Sequence, residues 1–177
     1  MSLRGKDPLL TIGKIITIIL MVLTAVVALI MIGIIPYLLL NQADFAKIVL
    51  EGGGDNVGMA LTASILLLLA GAAVTAIAFY FFQLLGRIID TVGANDPFTI
   101  ENANRLTRMG WIALVFQIAS FPIAALVAYL GDFVPSENLK VDFDFTLTGL
   151  LLAIVLFILA RIFRHGVEMR EDLEGTV

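Results

Sequence analysis

Two polar stretches hold most of the side chains able to do chemistry. The first is Asp96-Pro97-Phe98-Thr99-Ile100-Glu101-Asn102-Ala103-Asn104-Arg105-Leu106, with Arg108 just beyond it. The second runs from Arg161 to Glu174 and carries Arg164, His165, Glu168, Arg170, Glu171 and Asp172. Carboxylates at 101, 168, 171, 172 and 174 are the material of general acid–base catalysis. They stand beside arginines, however, and ion-paired helix surfaces account for them better. His165 is the single histidine and cysteine is absent. A zinc site, a disulfide and a thiol nucleophile therefore lack their ligands, and His165 reads as an exposed residue near the headgroups. Arg105, Arg108, Arg161, Arg164 and Arg170 suit another chemistry, the binding of anionic lipid headgroups. Neither an enzyme nor a cofactor is expected from this inventory.

The elements that must position these residues are apolar. The chain is 60% hydrophobic and 15% charged over 177 residues, whereas a soluble domain carries about 25% charged residues. The charge is missing from four runs: Ile15 to Ala43, Asn56 to Gly86, Met109 to Gly131 and Phe145 to Ala160. About 20 helical residues cross a hydrocarbon core of about 30 Å. The first two runs exceed that and must tilt or continue as helix outside the membrane. The fourth is short, but Arg161 can snorkel from its end. Continuous stretches such as Ile65-Leu66-Leu67-Leu68-Leu69 lack the alternation of a β-barrel strand. The first run is too long for a cleaved signal and continues through Pro36-Tyr37, so it reads as an uncleaved anchor. The expected fold is all-α: an antiparallel four-helix transmembrane bundle, one membrane domain over residues 1–177. Its spans lie at about 14–41, 57–86, 108–131 and 145–163, the lengths that a bilayer sets.

Lysine and arginine orient it. Arg4, Lys6 and Lys14 precede the first span. Arg87, Arg105 and Arg108 lie between the second and third, and Arg161, Arg164 and Arg170 follow the fourth. The opposite side has Lys47, among Asp44, Glu51 and Asp55, and Lys140, among Asp132, Glu137, Asp142 and Asp144. Nine of eleven basic residues thus share one side, which the positive-inside rule assigns to the cytoplasm. Both ends and the 87–108 hairpin are then cytoplasmic. On the outer side, Phe45 to Leu50 reads as a short interfacial helix ended by Gly52-Gly53-Gly54. Residues 140–145 alternate in a strand-like way.

The hairpin reads as two helical extensions. Gly93 ends the first and Asp96-Pro97 makes a turn. Thr99 caps the second, with Glu101 in its first turn. Trp111 sits where an interfacial aromatic anchor belongs, and Pro122 is a place for a kink. The tail 161–177 continues the fourth helix, with Ile162, Met169 and Leu173 on one stripe. Hairpin and tail lie on the same side and can pack together. Within the spans, Thr17, Thr24, Thr62, Ser64, Thr75, Gln83, Gln117 and Ser120 are expected to bond to their own or neighbouring helices. Ala70-Gly71-Ala72-Ala73 with Thr75 is a small-residue packing face, for packing within the chain by default, with a homo-oligomer as the alternative.

The motif Asp96 to Leu106, then Gly110-Trp111 and the ending Met169 to Val177, resembles the bacterial domain of unknown function twenty-nine seventy-five family, over nearly the whole chain. That family brings no catalytic residues. Its members often neighbour a small helix-turn-helix transcription regulator, which implies such a protein as partner. The expected function is non-enzymatic: hairpin and tail dock the regulator, through contacts drawn from Asp96, Phe98, Thr99, Glu101, Asn102, Arg105, Arg108, Arg164, Arg170, Glu171 and Asp172. Direct nucleic-acid binding is not expected, since each segment is short and mixed in charge. A small transporter, with a cavity lined by Gln83, Gln117 or the threonines, is the alternative.

Overall fold

The structure is a computed structural model that describes residues 7–131 and 147–174, with side chains through residue 172. Arg4, Lys6, the acidic segment 132–144 with Lys140, the alternation at 140–145, the Leu173 side chain and the last three residues of the ending motif lie outside the described residues. Among the described residues five helices follow one another: α1 Pro8–Leu40, α2 Gln42–Glu51, α3 Val57–Gly93, α4 Ile100–Gly131 and α5 Leu147–Glu174. Four are long and apolar enough to cross a membrane, and the short α2 is the helix expected around Phe45 to Leu50. The protein is all-α and its long helices fit a membrane helical bundle.

The burial pattern suits hydrocarbon as solvent. Thr17 is the buried residue of α1, while Leu9, Ile19, Val22 and Leu29 on that helix are more than half exposed. Buried positions elsewhere are largely small, including Ala60, Ala63, Ala72, Ala103, Ala113, Ala153 and Ala160. Small residues let helices approach, and large aliphatics turned outward meet lipid at no cost.

The helices group into two compact units. One comprises Met1–Leu23, Ile77–Val115 and Thr146–Val177; the other comprises Thr24–Ala76 and Phe116–Phe145. In the first, Leu84, Ile88, Leu106, Met109, Ala113, Ala153, Leu156 and Ala160 form the core. Its contacts run antiparallel. Gly13 lies against Ile89 and Thr17 against Gly86, while Gly110 lies against Phe157 and Gly166 against Phe98. In the second, Gly71 lies against Met31, so the small-residue face of α3 packs on α1. Tyr129 donates its hydroxyl to Met59 Sδ at 3.3 Å.

The helix ends and the inner face of α5 refine the sequence reading. α1 starts at Pro8, well before the expected span, because Asp7 caps it: its Oδ1 accepts the Leu9 amide at 3.0 Å, and proline suits the first helical position. α3 ends at Gly93, but the left-handed residue that turns the chain is Asn95, with φ 62°. The Asn95 and Asp96 amides bond back to the Val92 and Thr91 carbonyls, a Schellman ending with asparagine in glycine's usual place. α2 ends the same way on Gly53, φ 85°, with Gly54 bonded to Val49. In α5, Ile162 and Met169 are more than half exposed; the half-buried face holds Phe163, Gly166 and Val167 instead.

The polar residues of the spans turn mostly to their own helices. Thr17, Thr62, Ser64 and Thr75 donate to carbonyls one turn back at 2.8–2.9 Å, and Ser120 donates to Gln117 at 2.7 Å. Among the described residues no buried side-chain nitrogen or oxygen lacks a partner.

Candidate functional site

All of the expected site residues fall in the first unit, where α3, α4 and α5 carry the hairpin and the tail. Thr99 is the N-cap of α4, and its Oγ1 accepts the Asn102 amide at 3.2 Å. That bond fixes Asn102 one turn into the helix, fully buried against the end of α3. Asn102 Nδ2 donates to Thr91 Oγ1 at 2.7 Å and to the Pro97 carbonyl at 2.8 Å. Its Oδ1 accepts Arg105 Nη1 at 2.6 Å. One amide therefore ties both helices and the intervening turn, and three of its hydrogen-bonding sites are filled. The Asn102 side chain faces the inside of the hairpin, and Arg105 is held half-buried against it.

The tail closes on the tip of this hairpin. Phe98 lies over Gly166: a Cβ placed there would meet Phe98 Cδ1 at 2.7 Å, so a side chain would push the ring away. The Phe98 and Phe163 rings are 5.2 Å apart. Beyond them Arg170 Nη1 donates to Asp96 Oδ1 at 2.6 Å. Nearer the apolar spans, Arg164 reaches Asn104 Oδ1 at 3.5 Å. Tip and tail thus share one surface built on an aromatic–glycine contact and edged by an ion pair. On the far side of α3, Lys14 of α1 pairs with Asp90. Both ion pairs are about half exposed, so each contributes at most about 1 kcal/mol. They set position more than stability.

Glu101, Arg108, Glu171 and Asp172 are exposed on this surface or beside it. His165 is exposed and lies 3.0 Å from Glu168 Oε2, one turn along α5. No cluster of three or more His, Asp or Glu arranged to hold a metal occurs among the described residues. Open pockets occur in both units. One, next to the tip, is lined by Asp7, Lys14, Asp90, Asn95 and Pro97; the other lies within the second unit, by Met59, Thr62, Leu126 and Tyr129. Gln83 and Gln117 line neither.

The family model described as protein of unknown function (DUF2975) matches residues 58–177. The chain belongs to this family. The match takes in the hairpin, the tail and the helices bearing them, and leaves α1 and α2 outside, so it is narrower than the nearly complete coverage expected from the motifs. No curated protein and no solved structure matches the chain. Within the DUF2975 segment, Thr91, Phe163 and Gly166 were not singled out by sequence. Gly166 carried a signal: an interior helical glycine costs about 1 kcal/mol relative to alanine and often marks a close approach. Thr91 and Phe163 carried none, because their roles depend on which helices pack together.

Proposed function

We propose that this DUF2975 protein is a non-enzymatic protein of the bacterial cytoplasmic membrane whose hairpin and tail together dock a soluble cytoplasmic protein. The observation that carries the reading is the joining of tip and tail, through Phe98 on Gly166 and Asp96 on Arg170, into one surface. Two segments far apart in sequence are held in register there, and exposed Glu101, Glu171 and Asp172 lie on the same segments. A rigid, polar, partly aromatic surface is what protein recognition uses. Its cytoplasmic placement, with both termini inside, is supported by the nine basic residues shared by the N-terminal segment, the hairpin and the tail. The partner that the family resemblance implies is a small helix-turn-helix regulator, kept at the membrane and away from DNA.

The test is affinity capture of the full chain from native membranes, beside a triple variant Glu101→Lys, Glu171→Lys, Asp172→Lys. The expected result is a specific cytoplasmic protein recovered with the wild type and lost with the variant. Recovery of the same proteins by both would sink the docking reading.

A further inference from the structure

Where α4 and α5 leave the apolar spans, the exposed edges beside their packed core carry a second arrangement. On α4, Asn104, Arg108 and Trp111 follow at i, i+4 and i+7 and share a face. On α5, Phe157, Arg161 and Arg164 do the same. The helices run antiparallel here, and the outer rungs of the two stripes are in contact. Trp111 meets Phe157 edge to face with ring centroids 5.6 Å apart, and Arg164 reaches Asn104. The register therefore sets Arg108 opposite Arg161 on the rung between. Both are exposed, and among the described residues neither forms an ion pair with a carboxylate. Arg108 donates Nη1 to the hydroxyl of Tyr80 on α3 at 3.3 Å, a neutral partner that leaves its charge uncompensated. Two like charges on one rung add to a local positive potential that favours an anion. One turn deeper, Trp111 is 61% exposed, and exposed Val115 follows it one turn on along α4.

We propose that this is a binding site for one anionic phospholipid. The phosphodiester sits between the Arg108 and Arg161 guanidinium groups, with Arg164 at its outer edge. The acyl chains run down past Trp111 and Phe157 towards Val115. Guanidinium forks match phosphate geometry, and indole belongs at headgroup depth. The step from cations to aromatic rings to aliphatic side chains along one groove matches the order of a lipid's own parts. This site rests on the helices spanning a membrane; its test does not use the substitutions at 101, 171 and 172 that test the docking surface.

Trp111 is the chain's single tryptophan, so its fluorescence reports this site alone. The full chain is placed in vesicles of equal amounts of phosphatidylglycerol and phosphatidylcholine, with bromine on the acyl chains of one lipid or the other. Composition stays constant and only the quencher moves. For the wild type the quenching should show a relative preference for phosphatidylglycerol of about tenfold, as expected for two arginines at the headgroup plane. In the Arg108→Gln, Arg161→Gln double variant it should fall to about onefold, with helicity unchanged. Raising the salt on the wild type, from about 0.05 M to about 1 M, should lower the preference without any substitution. Equal quenching by the two lipids in the wild type would overturn the proposal, as would a preference that survives the double variant. Relief of quenching by millimolar inorganic phosphate at constant ionic strength would assign the site to free phosphate and overturn the lipid.

Discussion

Asn102 is the residue on which the polar end turns. Its amide satisfies Thr91, the Pro97 carbonyl and Arg105 at once, in a place closed to water. Replacing it leaves those groups without their bonds, and a buried group left unpaired costs about 1–3 kcal/mol. Asn102→Ala should therefore lower the unfolding midpoint in detergent and speed proteolysis in the 94–99 turn. Ion pairs on the surface behave differently. A double-mutant cycle on Asp96 and Arg170 should give a coupling of about 1 kcal/mol or less, since both are half exposed. Asn95 makes a third case. Valine there would have to hold a left-handed conformation, at about 1–2 kcal/mol, while glycine should be tolerated without loss. Denaturation of the two variants side by side checks this.

Among elements, helix contacts rest on glycines that differ in what faces them. A Cβ at Gly110 would meet the Phe157 ring at 2.9 Å, and one at Gly166 would meet Phe98 at 2.7 Å. Aromatic rings packed in place give way only by shifting a helix or losing the contact, so Gly110→Ala should cost about 1–3 kcal/mol. Gly166→Ala should free the tail from the hairpin tip and raise amide exchange in residues 166–172. At Gly71 the nearest atom is Met31 Sδ, the end of a flexible side chain at 2.8 Å. Gly71→Ala should cost less than about 1 kcal/mol by the same measurement, because methionine repacks readily. The capping of α4 by Thr99 was readable in the sequence, since a cap depends on residues one turn apart. The inward face of the tail was not. Periodicity pointed to Ile162 and Met169, yet both are more than half exposed, because Phe98 of the hairpin packs on Gly166 and Phe163 instead. Hydrophobic pattern thus loses its power to say which face is buried, and only the partner helix, with Phe98, decides it.

For the whole molecule, the four long helices were legible from the absence of charge alone, because hydrocarbon excludes charge whatever the tertiary contacts are. Their ends were less so. Charge marks where the apolar run stops, whereas backbone caps such as Asp7 and Asn95 mark where the helix stops. The joined hairpin and tail were legible only as two polar segments on one side of the membrane. Their contact needs the antiparallel register of α4 and α5, which no local pattern encodes.

The central claim is that hairpin and tail face the cytoplasm together. The chain has no cysteine, so single cysteines can report it without background. Glu101→Cys, Glu171→Cys and Lys47→Cys are each treated in intact cells with a membrane-impermeant thiol reagent, then again after lysis. Cysteine at 47 should react from outside, and cysteines at 101 and 171 only once the membrane is opened. Reaction at 101 or 171 in intact cells, or opposite behaviour of those two positions, would contradict it.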